Sequence, residues 1–118
     1  MARKALSSSP SIACVGAAVA VREASLSSAV ATMTASIEAN YAARKAALAH
    51  AYALSTDREV KVALKTAWSA FKSDQRVTQR TWKSSRDSAW KTFRSSLTSC
   101  KASGDVSDHG NSGAEVTI

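Results

Sequence analysis

Hydrophobic residues recur every eleven positions over two long segments of the chain. Counted from residue 15, the first position of successive blocks is Val15, Leu26, Ile37 and Leu48. Counted from residue 60, the first position is Val60, Phe71, Trp82 and Phe93. An eleven-residue period corresponds to about 3.67 residues per turn, which is typical of straight or slightly right-handed helices. The pattern therefore predicts two amphipathic helices, each with one apolar stripe.

Helix-breaking residues and capping motifs indicate where these helices begin and end. Neither Gly nor Pro occurs between Gly16 and Gly104, which favours unbroken helix. Pro10 suits the first position of a helix, and Gly104 suits a helix stop. Thr56 and Glu59 have the spacing of a capping box, in which the two side chains satisfy free N–H groups at a helix start.

These signals predict an all-α fold, a long antiparallel two-helix hairpin whose domain spans 11–102. We expect the first helix over about 11–54 and the second over about 57–102. A flexible N-terminal segment is expected over 1–10, and a disordered acidic tail rich in Gly and Ser over 103–118.

The apolar stripes also predict which residues face each other across the hairpin. Pairing residues whose numbers sum to about 112 gives six apolar layers: Val15 with Leu97, Val19 with Phe93, Val30 with Trp82, Tyr41 with Phe71, Leu48 with Leu64, and Tyr52 with Val60. Two layers are imperfect, because Leu26 faces Arg86 and Ile37 faces Gln75. We expect Arg86 to lay its stem along the interface and reach Glu23.

The same pairing predicts two contacts between arginines and tryptophans. Arg22 falls opposite Trp90, and Arg44 falls opposite Trp68. A guanidinium over an indole ring is a favourable cation–π contact.

The two cysteines are placed symmetrically about the predicted turn. Cys14 and Cys100 each lie 43 residues from Asp57, so folding the chain back there brings them opposite each other. We predict a terminal disulfide, which would add stability to a thin core. Reduced buried thiols, a lipidated Cys14 and a metal-binding pair are the alternatives. Neither Cys-x-x-Cys nor a nearby His supports a zinc site.

Most of the +7 net charge belongs to the second helix. Residues 57–101 carry eleven basic and four acidic side chains, whereas residues 102–118 carry three acidic ones. A basic surface attracts polyanions such as nucleic acid or acidic glycans, although charge rows are commonly only solvated helix faces. The candidate polyanion contacts, which we call the basic row, are Lys61, Lys72, Arg76, Arg80, Lys83, Lys91 and Arg94.

The tryptophans have helical rather than nucleic-acid-binding spacing. Trp82 lies on the apolar stripe, and Trp68 and Trp90 flank it, as expected for packing residues rather than for a platform that stacks bases. The apolar area on Trp68 and Trp90 exceeds what one facing helix covers. We therefore predict that these two residues form an association surface between hairpins, and that the protein is a homo-oligomer.

Catalytic and membrane motifs are not evident. We find no paired carboxylates, phosphate-binding loop or His-Glu metal motif, and we expect no enzyme activity, no cofactor and no small-molecule substrate.

The apolar run over 12–21 is shorter than the roughly 20 residues of a transmembrane helix, so we expect no such segment. Arg3 and Lys4 are typical of a signal-peptide start, but residues 5–11 are too polar for its apolar part. We expect a remnant, or a poorly chosen start, of an exported precursor.

An ordered set of short motifs resembles a family of small exported proteins from the candidate phyla radiation (Patescibacteria). The residues that carry the resemblance are Ala13-Cys14, Ala18-Val19, Arg22-Glu23, the stretch Ala43-Arg44-Lys45-Ala46-Ala47-Leu48, the pair Ala67-Trp68-Ser69-Ala70-Phe71 and Ala89-Trp90-Lys91-Thr92-Phe93, and the closing Cys100. The match covers about residues 13–101 and implies fold and export but no activity; a proper signal peptide is missing.

Together these features predict a non-enzymatic, extracytoplasmic structural or interaction element, either self-associating or coating a surface. The alternative function is a nonspecific polyanion binder that uses the basic row.

Overall fold

The computed structural model describes residues 2–101 and 106–116, with side chains from residue 11 onward. Helix α1 covers Ala2–Tyr52 and helix α2 covers Asp57–Cys100. A short 3-10 helix, His109–Asn111, follows in the tail. Within these described ranges the chain forms no strand. The predicted all-α helical hairpin is confirmed.

The hairpin divides into two compact units. Unit 1 comprises Met1–Ala29 and Lys83–Ile118, and unit 2 comprises Val30–Trp82. Each unit therefore contains one stretch of α1 and one stretch of α2. The disulfide belongs to unit 1, and the turn between the helices belongs to unit 2.

The N-terminal boundary of α1 differs from the prediction. The helix begins at Ala2 instead of near residue 11, so the backbone of the expected flexible segment is helical from residue 2. Residues 2–6, Ala-Arg-Lys-Ala-Leu, are strong helix formers. Pro10 lies inside α1, where it removes one backbone hydrogen bond, rather than in the first turn.

The predicted capping box at the start of α2 is confirmed. The Thr56 hydroxyl accepts a hydrogen bond from the backbone N–H of Glu59 at 3.2 Å and donates one to the Glu59 carboxylate at 2.8 Å. The N–H of Val60 binds the carbonyl of Thr56 at 3.0 Å. The Thr56 hydroxyl thus satisfies the Glu59 N–H, which an uncapped helix leaves free, and the Glu59 carboxylate binds that hydroxyl rather than the backbone N–H of Thr56. The Val60 bond is the first regular hydrogen bond of the helix, and together these contacts fix the point where α2 begins.

The C-terminal end of α2 is set by the backbone of Lys101. This residue has φ 53°, in the left-handed region, which is a common way to end a helix. Its N–H binds the carbonyl of Thr98 at 3.3 Å. Gly104, the predicted stop, lies outside the described residues.

The core of unit 1 is a small cluster between the two helices. Leu26, Ala89, Trp90 and Phe93 are buried, and Ala18, Val19 and Leu97 pack against them. Val19 and Phe93, one of the predicted layers, thus lie in the same cluster, which also contains Leu26, expected to face Arg86. The predicted reach of Arg86 to Glu23 is wrong: the Arg86 guanidinium binds its neighbour Asp87 at 3.0 Å instead.

The core of unit 2 combines apolar packing with one polar layer. Its buried hydrophobic residues are Met33, Ala51, Ala67 and Trp82. Tyr41 meets Phe71 edge to face at 5.1 Å between ring centroids, as the pairing predicted. The Asn40 amide donates to the Gln75 side-chain oxygen at 2.7 Å and to the Thr78 hydroxyl at 3.0 Å. Gln75, the polar residue in an imperfect layer, thus binds another amide side chain, that of Asn40.

The predicted disulfide is present in unit 1. Cys14 and Cys100 are bonded, with their Cα atoms 5.6 Å apart, inside the usual range for disulfides. The bond joins α1 to α2 across 86 positions of sequence. Because so long a loop is closed, the bond strongly limits the unfolded chain.

We predict that replacing both cysteines destabilises the hairpin. The Cys14→Ser/Cys100→Ser variant should lose about 4 kcal/mol of unfolding free energy, since the open unfolded chain regains its conformational entropy. Urea unfolding followed by circular dichroism measures the loss, and non-reducing peptide mapping of the unmodified protein should recover the linked peptides. An unchanged urea midpoint in the double variant would show that the bond adds no stability.

Candidate functional site

An arginine stacked on aromatic rings forms the centre of unit 1. The Arg22 guanidinium carbon lies 4.3 Å from the Trp90 ring centroid and 4.5 Å from that of Phe93. Arg22 is only 4% exposed. The predicted Arg22–Trp90 contact is therefore confirmed, and it holds a cation in a largely desolvated position where it needs a counter-charge.

That counter-charge comes from the acidic tail. Two Arg22 guanidinium nitrogens donate to the two carboxylate oxygens of Asp108, at 2.5 and 2.8 Å, and Glu23 lies 3.6 Å away. These hydrogen bonds lower the pKa of Asp108 and raise the pKa of Arg22, although burial opposes both shifts. The paired geometry is the form in which arginine binds a carboxylate most strongly.

A second carboxylate of the tail binds Trp90. The Trp90 indole N–H donates to one oxygen of Glu115 at 2.5 Å, and the other oxygen accepts the N–H of Gly113 at 2.9 Å. Burial tends to raise the pKa of Glu115, but the hydrogen bonds that its carboxylate accepts outweigh it, and the pKa is lowered. Both groups that the Arg22 cluster offers to an anion are thus occupied by the same tail.

Hydrogen bonds within the tail hold its backbone in the conformation that makes these contacts. Between the two carboxylates it forms the 3-10 helix, in which the backbone N–H and side-chain amide of Asn111 bind the Asp108 carbonyl at 3.0 and 3.2 Å. The Ser107 hydroxyl accepts the N–H of His109 at 3.2 Å. Residues 106–116 are therefore folded against unit 1, and the expectation of disorder is wrong for them; 103–105 and 117–118 lie outside the described residues.

Composition alone could not find the tail contact. Gly, Ser and Asp are typical of disordered segments, whereas docking depends on two particular carboxylates, Asp108 and Glu115, meeting a guanidinium and an indole N–H. The available signal was the predicted contact of Arg22 with Trp90, since a cation held against an aromatic ring between helices needs an anionic partner.

Unit 2 contains a second arginine–aromatic cluster. The Arg44 guanidinium carbon lies 4.6 Å from the ring centroids of Tyr41 and Trp68 and 4.4 Å from that of Phe71. The predicted Arg44–Trp68 contact is confirmed. Tyr41 is 49% exposed and Trp68 is 42% exposed, so this cluster is open to solvent where the Arg22 cluster is covered.

The two clusters are copies of one arrangement. Moving 22 positions toward the turn on each helix converts the Arg22 cluster into the Arg44 cluster: Val19 becomes Tyr41, Arg22 becomes Arg44, Trp90 becomes Trp68, and Phe93 becomes Phe71. That step is two of the eleven-residue periods. The repeat of the sequence thus places the same chemistry in both units, each built across α1 and α2.

Trp90 does not form the predicted association surface. It is 5% exposed, because its indole is covered by the tail and stacked against Arg22. A buried side chain cannot contact another hairpin. Of the two predicted surface tryptophans, only Trp68 is accessible.

The residues of the basic row are all exposed. Lys61, Lys72, Arg76 and Arg80 belong to unit 2, and Lys83, Lys91 and Arg94 belong to unit 1. Within the described residues, none of them forms an ion pair. Their charges are therefore available to a ligand.

Among the described residues, no group of three His, Cys, Asp or Glu side chains could hold a metal ion. By length and composition, the helical stretch Ser11–Tyr52 is long and apolar enough to cross a membrane. Its apolar character comes from the many Ala and Val residues of α1.

Comparisons with protein-family models, curated proteins and solved structures each give no match to this chain.

We predict that acid releases the tail from unit 1. Because the pKa values of Asp108 and Glu115 are lowered in the folded state, docking is stabilised above the ordinary carboxyl pKa and lost as pH falls through the lowered values. The neighbouring charges are Arg22, Glu23 and His109 around Asp108, and Arg86 near Glu115. Hydrogen exchange of the Trp90 indole N–H should accelerate as the tail leaves.

Neutralising both tail carboxylates should reproduce the release at neutral pH. The Asp108→Asn/Glu115→Gln variant should weaken docking by about 1 kcal/mol per carboxylate, since both contacts are partly solvated. Glu38→Gln/Asp74→Asn, an equal charge change at exposed positions of unit 2, should leave Trp90 protected. Equal protection of Trp90 in the two double variants would contradict a docked role for the carboxylates.

Proposed function

We propose that the protein is a non-enzymatic, extracytoplasmic helical hairpin that acts as an interaction element, held together by its terminal disulfide. The Cys14–Cys100 bond is the observation that carries this proposal. Structural disulfides persist in oxidising compartments and are rare in the cytosol. The resemblance of residues 13–101 to exported Patescibacteria proteins supports the same compartment, and we propose membership of that family.

A scaffold role is supported by how the polar groups are used. Ser107 and His109 form the one Ser–His hydrogen bond among the described residues, at 2.9 Å between Oγ and Nδ1. The adjacent carboxylate, Asp108, binds Arg22 and does not orient the imidazole. The pair is exposed and lies in the tail, so it lacks both the third group and the enclosed pocket that an activated serine requires.

The interaction surface that we assign is on unit 2. The exposed rings of Tyr41 and Trp68 with the Arg44 guanidinium combine flat apolar area with a planar cation. Aromatic residues and arginine contribute most to binding in protein interfaces. The corresponding residues of unit 1 are covered by the tail, so unit 2 offers the accessible copy.

The compartment is tested by the oxidation state of the two thiols. We expect Cys14 and Cys100 to be fully paired in protein exported to a bacterial periplasm, and free in protein made in a reducing cytosol. Mass spectrometry after thiol alkylation measures the paired fraction. Free thiols in exported, folded protein would remove the basis for an extracytoplasmic role, whatever the protein binds.

Polyanion binding is the second candidate, and it is favoured by the exposed, unpaired basic row of α2. Phosphate contacts give affinity without base information and are strongly weakened by salt. Each unit carries part of the row.

We predict the outcome of removing four charges of the row. The Lys61→Gln/Lys72→Gln/Lys83→Gln/Arg94→Gln variant should elute from heparin or DNA columns at clearly lower salt, equally for all DNA sequences. Circular dichroism controls for loss of helix. If the unmodified protein is not retained at about 50 mM salt, where counterion release favours binding, the row is a solvated helix face.

A further inference from the structure

We infer that the Arg44 cluster of unit 2 is a binding site for an acidic peptide segment of a partner protein, recognised through one carboxylate on Arg44 and a second on the Trp68 indole N–H. The inference rests on the proposed interaction role and adds the ligand chemistry. The tail bound to unit 1 shows how such a segment fits, because the two clusters are copies of one arrangement.

The groups that bind the tail in unit 1 are unpaired in unit 2. Arg22 binds Asp108 and Trp90 binds Glu115. Within the described residues, Arg44 forms no ion pair and the indole N–H of Trp68 donates no hydrogen bond.

A guanidinium stacked on three rings has lost water from its faces but keeps donors at its edge. Those donors are suited to a carboxylate, which can accept two of them at once.

The charges around the two clusters differ in the direction that favours an anion at unit 2. The same 22-residue step converts Glu23 into Lys45 and Asp87 into Lys65. The two acidic neighbours of the Arg22 cluster are therefore lysines around the Arg44 cluster, and both lysines are exposed. A carboxylate that approaches Arg44 meets added attraction in place of repulsion.

The ligand comes from another protein because the two tail carboxylates that the structure describes are committed. Asp108 and Glu115 are both bound within unit 1. A tail attached to its own receptor acts at a high effective concentration, on the order of millimolar for short linkers. A second copy would therefore have to give up its own tail contact before donating that tail to Arg44, whereas an acidic segment of a different protein has no such competitor.

The bound tail defines the ligand more closely. Its two carboxylates are seven positions apart and are separated by a 3-10 helix and glycines. A matching segment needs two acidic residues at about that spacing on a flexible, weakly apolar chain. Nucleic acid supplies phosphates but not this pair of carboxylates, so polyanion binding by the basic row would be a separate event.

The test uses the full-length, disulfide-bonded protein and a synthetic peptide of residues 106–116, Val-Ser-Asp-His-Gly-Asn-Ser-Gly-Ala-Glu-Val, acetylated and amidated. Tryptophan indole N–H signals of labelled protein are followed by NMR, with Trp68 assigned from Trp68→Phe. We expect the Trp68 signal to shift saturably and the Trp90 signal to stay in place. The same peptide with Asn and Gln for its two acidic residues should bind at least about tenfold more weakly.

Matched variants separate recognition from general charge. Arg44→Gln should abolish the shift, and Arg44→Lys, which keeps the charge but not the planar donors, should restore it only in part. Arg58→Gln removes an exposed charge of the same unit outside both the cluster and the basic row and should leave affinity within about twofold. Should Arg44→Gln unfold, Trp68→Phe provides the second variant: it keeps a ring, removes the indole donor, and should weaken peptide binding measured by calorimetry.

Three results would overturn the inference. In the first, the acidic peptide leaves Trp68 unmoved or moves it no more than the neutral peptide does. In the second, the peptide shifts Trp90, which would mean displacement of the tail from unit 1. In the third, Trp68 shifts with protein concentration before peptide is added, which would identify a second copy as the occupant. None of these results alters the thiol test, so the proposed compartment stands or fails independently.

Discussion

The cross-link between Cys14 and Cys100 compensates for a core that is too thin to hold two long helices by packing alone. Of the nine buried hydrophobic residues in the described part of the chain, three are alanines, which offer little apolar area. In a two-helix arrangement each helix has only one neighbour, so layers cannot be added to increase burial. A covalent bond instead lowers the conformational entropy of the unfolded chain, which stabilises the folded hairpin.

Stacking of arginine on aromatic rings solves a second problem of the thin interface. A cation can be buried between two helices only if its flat faces meet apolar surface and its edge meets an anion. In unit 1 the rings of Trp90 and Phe93 supply the surface and Asp108 supplies the anion. In unit 2 the rings are present, and no carboxylate among the described residues pairs with Arg44. The eleven-residue period gives both units the same arrangement of arginine and aromatic rings, and in unit 1 the tail that follows α2 supplies the anion.

Features that depend on local motifs or on periodic spacing in the sequence were predictable. The Thr56–Glu59 capping box, the disulfide and the two Arg–Trp contacts all follow from spacing, because helical geometry converts spacing into position. The contact of Arg86 with Asp87 was missed because an adjacent carboxylate competes with a distant one at lower entropic cost. The docked tail was missed because docking depends on two side chains, Asp108 and Glu115, in a polar, glycine-rich segment. The overall composition of a segment does not reveal the role of two individual residues.

The eleven-residue period also limits how the length of this hairpin can change. A residue of α1 faces a residue of α2 only while their distances from the turn match, so an insertion in one helix alone would shift every pair beyond it. Inserting the same number in both helices preserves the pairing, but the apolar stripe stays continuous only when that number is close to whole helical repeats, and eleven residues is three turns. Chains that share this period should therefore differ in length by paired blocks of eleven residues. Two such pairs, the 22-residue step that separates Arg22 from Arg44, would add another position where an arginine can meet a tryptophan.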